Sequence, residues 1–192
     1  MLYWIVRFII LIAARVVYRI KVSGTEHIPQ DGAFILCSNH IHSYDPAMLA
    51  ISMDRQLRFI AKKELFEKRL GNSFFRALGA FPVDREAADM ASYRNAMQAL
   101  SSGMGLLVFS QGTRMQKLNI NSAKGGVALF GVKSKAPIIP AGISGSYRLF
   151  STLNIHFGQA ITLDDYYDQR LKTEQIEQIM AGIMSEVEKL VV

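Results

Sequence analysis

Ala33-Phe34-Ile35-Leu36-Cys37-Ser38-Asn39-His40-Ile41-His42-Ser43-Tyr44-Asp45-Pro46 is the stretch on which the fold turns. Its first five residues form an apolar run of strand length, and the polar turn that follows ends in Asp-Pro, a pair preferred at a helix start. A strand that passes through a turn into a helix is the building unit of α/β structure. Working outward, similar short apolar runs lie at Leu57–Ala61, Ala80–Val83, Leu106–Phe109, Ile138–Ile143 and Leu153–Phe157. Between them the helical period predicts helices at about Pro46–Met53, Glu64–Leu78, Ala88–Ser101 and Ala123–Ser134. This alternation predicts an α/β fold with a mostly parallel sheet flanked by helices. From Thr173 to Leu190, Ile176, Ile179, Met180, Ile183, Val187 and Leu190 share one stripe, which predicts an amphipathic helix capping the sheet.

The opening residues, MLYWIVRFIILIAARVVYRI, are apolar enough to suggest a membrane span until the arginines are placed. The uncharged stretch from Phe8 to Ala14 is far short of the roughly 18–20 residues a span needs. At 100° per residue, Arg7, Arg15 and Arg19 fall within an arc of about 120°. Leu2, Ile5, Ile9, Ile12 and Val16 occupy the rest of the surface. Residues 1–20 are therefore expected to form a membrane-interface helix with its basic face on anionic headgroups, or else a helix docked on the protein's own core. The charge is spread along the segment and no small-x-small site follows it, which argues against a signal peptide. Residues 21–192 show no repeat or linker and are expected to form one domain.

The formal charge of +6 points to an anionic partner, which charge alone does not identify. Nucleic acid is disfavoured: there is no basic run interleaved with aromatics and no zinc-finger spacing. The single cysteine, Cys37, excludes an intramolecular disulfide framework and fits a reducing, cytosolic setting.

Three stretches carry candidate chemistry. His40 stands on the predicted strand-to-helix turn, where active-site side chains of α/β sheets commonly emerge. An imidazole with an ordinary pKa near 6.5 is largely neutral at pH 7 and able to take a hydroxyl proton. Asp45 either starts the following helix or orients His40, and a carboxylate has oxygens enough for both. His40 and His42 as a metal pair lack a third ligand, so no metal is expected. The second stretch, Gly79-Ala80-Phe81-Pro82-Val83-Asp84-Arg85, ends a strand with a guanidinium suited to a phosphate, or to pairing with Asp84 or Glu86. In the third, Leu107-Val108-Phe109-Ser110-Gln111-Gly112-Thr113-Arg114, a strand enters a glycine turn whose N–H groups are candidate oxyanion donors. Lys124 follows at a predicted helix start, where anions are favoured.

Taken in order, these stretches and Ile139-Pro140 resemble the glycerophospholipid acyltransferase superfamily, most closely the bacterial 1-acylglycerol-3-phosphate acyltransferases. Asn39-His40 with Asp45 is similar to the family's N-H-x-x-x-x-D box, and Gly79 to Arg85 to its second block. Phe109 to Arg114 is similar to F-P-E-G-T-R, and Gly24-Thr25-Glu26-His27-Ile28-Pro29 to the family's lead-in. The resemblance spans almost the whole chain. It implies His40 as general base, Asp45 as its orienter, and Arg85, Gln111, Gly112, Thr113, Arg114 and Lys124 around the acceptor and its phosphate. It also implies transfer of a fatty acyl group from acyl-CoA or acyl-carrier protein to a lysophospholipid acceptor, without metal or redox cofactor, at the cytoplasmic face of the cell membrane. The chain departs from the pattern at Gln111, where the family has glutamate, and at Ser110, where it has proline. If the missing carboxylate braces Arg114 or holds an acceptor hydroxyl, its loss costs roughly 1–2 kcal/mol, near tenfold in rate; the change fits equally a different acceptor, or a member that binds lipid without turning it over.

Overall fold

The stretch beginning at Ala33 does form the centre of the molecule. In the computed structural model, which describes residues 2–83, 90–109 and 125–192, the run folds as strand β2 (Phe34–Ser38), every residue of it buried. A strand covered on both faces needs apolar side chains at every position, which is why this run is continuous and not alternating. Around it the sheet has the order β1-β7-β6-β2-β5-β3-β4. The remaining strands are β1 (Arg19–Ser23), β3 (Leu57–Lys62), β4 (Ala80–Val83), β5 (Gly105–Phe109), β6 (Ile138–Gly145) and β7 (Thr152–Phe157). All pairings are parallel except β6 with β7. That pair is joined by a short turn, too short for a parallel crossover. The turn requires Gly145, whose φ is 106° and whose missing Cβ would collide with the Thr152 carbonyl.

Helices cover both faces. On one side α4 (Met90–Ser101), α5 (Gly126–Ser134) and α6 (Thr173–Lys189) bury Ile35, Cys37, Leu106 and Ile138 beneath them. The predicted stripe of α6 is the face that packs, with Ile179, Met180, Ile183 and Val187 buried and Met184 joining them. On the other side α1 (Leu2–Val17) and α2 (Asp45–Ile51) cover Phe34, Leu36, Leu107 and Ile139. The α/β fold with a mostly parallel sheet flanked by helices is therefore as the sequence led one to expect.

Three elements differ from expectation. The helical pattern over 64–78 is broken into a 3₁₀ turn, Lys63–Phe66, and α3 (Arg69–Ala77), because Lys68 takes an extended backbone where Phe66 turns inward. Strand β1 was not anticipated: it is an edge strand, mostly exposed, so its Arg-Ile-Lys-Val-Ser sequence has little apolar signal. It follows that the N-terminal helix ends at Val17 and that Arg19 belongs to a strand. The expected starts of two helices, Ala88 and Ala123, lie outside the described residues.

Arg7 also departs from the expected basic face. Its guanidinium turns inward and donates to the carbonyls of Ala50 (3.0 Å), Ile51 (3.3 Å) and Met53 (2.6 Å), and to Asp54 Oδ1 (3.1 Å). These carbonyls lie at and beyond the C-terminal end of α2, where helix carbonyls lack intrahelical partners and a cation is favoured. Tyr3, one turn before Arg7 and 5% exposed, adds a second anchor to the N-terminal half of α1, accepting a hydrogen bond from Leu57 N–H at 3.3 Å. Helix α1 thus docks on the core, as one of the two alternatives held, while Leu2, Trp4, Ile5, Phe8, Ile9, Ile12 and Val16 stay exposed. Arg7→Met, which keeps the stem and removes the fork, is expected to cost about 1–3 kcal/mol and lower Tm by several degrees in thermal unfolding.

Candidate active site

The carboxyl end of β2 delivers Ser38, Asn39 and His40 in succession, all buried. Asn39 is fixed by a double bond to the backbone of β6: its Nδ2 donates to the Ile143 carbonyl and its Oδ1 accepts from Ile143 N–H, both at 2.8 Å. This clamp takes the place of ladder hydrogen bonds where β2 has ended and ties the turn to β6 immediately before His40. An Asn is suited to the task because its amide carries one acceptor and one donor side by side.

His40 and Asp45 meet across the turn. The imidazole Nδ1 lies 2.7 Å from Asp45 Oδ2. The same oxygen accepts the N–H groups of Ile41 (2.7 Å) and His42 (2.8 Å), while Oδ1 accepts the hydroxyl of Tyr147 at 2.5 Å. Asp45 is wholly buried, and its four donors offset the cost of taking a carboxylate out of water. Asp45 does both of the things its position allowed: it is the first residue of α2, with no side-chain cap made there, and its carboxylate bonds back to His40 and the turn. With Nδ1 committed as donor to a carboxylate, Nε2 is left as the acceptor.

The ring of His40 stacks on Phe109 from the end of β5, centroids 3.9 Å apart and planes 17° from parallel. Both rings border an apolar cavity of about 380 Å³, walled further by Tyr3, Val6 and Ile10 of α1, Ala47 and Ala50 of α2, and Leu65, Phe75 and Leu78. Such a volume falls in the usual range of ligand pockets, roughly 300–1,000 Å³. Among the described residues no group of three potential metal ligands converges. His42 accepts Tyr44 N–H at 3.3 Å and stacks on Tyr147 at 4.3 Å.

Tyr147 is the residue of this arrangement that sequence reasoning missed. It lies 102 positions from Asp45, beyond the end of β6. Burial first, then the Asp45 charge and hydrogen bond, hold its phenol well above the ordinary value, so it remains a donor. Phe109 had been noted only as part of a motif. The predicted phosphate and oxyanion residues Arg85, Gln111, Gly112, Thr113, Arg114 and Lys124 lie outside the described residues. The ends of β4 at Val83 and β5 at Phe109, after which they follow, are both at the carboxyl edge of the sheet that carries His40.

Comparison with known proteins gives relatives in sequence and in fold. The chain is 31% identical over 175 residues, 87% of its length, to 1-acyl-sn-glycerol-3-phosphate acyltransferase of Streptococcus pneumoniae. It is 32% identical over 127 residues, 66% of its length, to the enzyme of the same name from Bacillus subtilis. It spans 64% and 63% of the lengths of these two relatives. The crystal structure of the 1-acyl-sn-glycerophosphate acyltransferase PlsC from Thermotoga maritima shares the fold, with a TM-score of 0.73, 21% identity, and coverage of 98% of this chain and 80% of that one. The model of the family described as Acyltransferase matches residues 19–144, more than half of the chain and the part that contains β1 to β6 with the His40 turn, so the protein belongs to the acyltransferase family.

Proposed function

We propose that the protein transfers a fatty acyl group from acyl-CoA or acyl-carrier protein to the free hydroxyl of 1-acylglycerol 3-phosphate, forming phosphatidic acid. The observation that carries this reading is the His40 Nδ1 to Asp45 Oδ2 contact of 2.7 Å, beside an apolar cavity that the imidazole borders. Nε2 takes the proton of the acceptor hydroxyl as its oxygen attacks the thioester carbon. The tetrahedral oxyanion then collapses, the carbon–sulfur bond breaks, and the thiolate leaves with the proton returned by the imidazolium. Asp45 holds the tautomer and stabilises the transient positive charge. The cavity between α1, α2 and β3 would receive the acyl chain. Arg85, Arg114 and Lys124 would hold the acceptor phosphate, and the N–H groups of Gly112 and Thr113 the oxyanion; each such donor is worth about 3–4 kcal/mol. No residue in this scheme calls for a metal or redox cofactor.

The site would work at a membrane surface. No helix of the described residues is long and apolar enough to cross a bilayer. The exposed apolar face of α1 is suited to the acyl boundary, with Arg15 exposed on the same helix for anionic headgroups. Trp4, the sole tryptophan, is 44% exposed there and reports on insertion.

The test is product analysis by mass spectrometry with several lysolipids and both donor types, run beside Trp4 fluorescence on anionic vesicles. Phosphatidic acid from 1-acylglycerol 3-phosphate, with a blue-shifted Trp4, is the expected result. Release of free fatty acid to water would show a hydrolase. Vesicle binding without product from any pair would show a lipid-binding member, the reading that Gln111 motivates.

A further inference from the structure

We infer that Tyr147 is a positioning residue of the acyl-transfer site, fixing the plane of the Asp45 carboxylate and through it the ring of His40. The inference rests on the reading of His40 as the base. An aspartate's terminal torsion is soft and roughly two-fold, so packing alone sets its carboxylate plane poorly. Three of the four donors to Asp45, His40 Nδ1 and the N–H groups of Ile41 and His42, converge on Oδ2. They hold that oxygen, and because the carboxylate is planar with Cβ, any rotation about Cβ–Cγ that moves one oxygen moves the other. Oδ1 has one hydrogen-bond partner among the described residues, the Tyr147 hydroxyl at 2.5 Å. With both oxygens bonded, rotation about Cβ–Cγ is resisted at each arm of the carboxylate, and the Tyr147 hydroxyl is the hold on the Oδ1 arm.

Tyr147 is itself held. Its ring stacks on His42 at 4.3 Å, and the edges of Tyr18 and Tyr44 approach it at centroid distances of 5.7 and 6.1 Å. Tyr18 follows directly on α1, its N–H closing that helix on the Ala14 carbonyl. The hydroxyl therefore reaches Asp45 from a wall built of α1, the His40 turn and the end of β6, so its position does not depend on side-chain freedom. Aromatic packing of this kind survives removal of the hydroxyl, which makes the two roles of Tyr147 separable.

Four chains decide the matter: wild type, Tyr147→Phe, Asp45→Asn and the double variant, with His40→Ala assayed beside them. Tyr147→Phe keeps the ring contacts and is expected to lower kcat about tenfold, with KM for donor and acceptor unchanged. In the Asp45→Asn background the same change is expected to alter kcat by less than threefold, because its target charge is already gone. Replacing Tyr147 with p-aminophenylalanine, which keeps a donor on the ring, should recover most of the activity. A kcat within twofold of wild type in Tyr147→Phe, or an undiminished tenfold effect in the Asp45→Asn background, would overturn the inference. A fully active His40→Ala would instead bring down the reading on which it rests. Should the Phe variant fail to fold, the wild-type chain still decides: the Tyr147 hydroxyl proton is expected as a low-field NMR resonance that disappears in Asp45→Asn, and its absence from wild type refutes the contact.

Discussion

His40→Ala is expected to lower kcat for acyl transfer roughly 10²- to 10⁴-fold, the range supplied by a positioned general base. Binding should suffer little, because the His40 ring is the one part of the cavity lining removed and the α1 surface is untouched. The fold should survive as well. Asp45 keeps three of its four donors in the variant, those of Ile41, His42 and Tyr147, so the buried carboxylate is not orphaned. Circular dichroism and Tm close to wild type, together with the kinetic loss, would place the effect on chemistry. Undiminished transfer by a folded His40→Ala chain would exclude this base.

Asp45 separates by substitution into a structural and a chemical role. Asp45→Ala leaves His40 Nδ1–H, two backbone N–H groups and the Tyr147 hydroxyl facing a void, and a destabilisation of about 3–5 kcal/mol is expected, as for other broken buried charge networks. Thermal unfolding should shift by roughly 10 °C at this chain length. Asp45→Asn behaves differently. The three donors on Oδ2 require an acceptor there, which forces the amide oxygen into that place and its NH₂ toward Tyr147, whose hydroxyl can turn to accept. The imidazole tautomer is thereby kept and the negative charge lost. A fall in kcat of roughly 10- to 100-fold with near-normal Tm is expected, the worth of a hydrogen bond to a charged group. Equal loss of stability in both variants would show that the carboxylate is there for the fold alone.

Much of this molecule was legible along the chain. The strand from Phe34, the turn bearing His40, and the stripe of α6 were readable because each is a local pattern: a run of apolar residues, a turn signal, a helical period. Pairing of His40 with Asp45 was anticipated from spacing and resemblance, with the helix-start reading of Asp-Pro beside it. The structure shows Asp45 beginning α2 while its carboxylate bonds back, a choice between capping forward and bonding back that only the turn's backbone determines. Strand β1 escaped notice because an edge strand is exposed and carries little apolar signal. Arg7 was assigned to a basic face by angular position; its donation to three carbonyls of residues 50, 51 and 53 depends on where α2 lies, which a helical wheel does not contain.

The sequence by itself determined the α/β architecture, the docking face of the final helix and the place of a histidine at the carboxyl end of the central strand. These follow from periodicity, whose range is a few residues. Tertiary structure alone decided that Asn39 locks the turn to Ile143, that Phe109 stacks on His40, that α1 walls the cavity, and that Tyr147 completes the coordination of Asp45 from 102 residues away. Such contacts join segments brought together by strand order in the sheet, and their partners are chosen by distance in space, on which separation along the chain has no bearing.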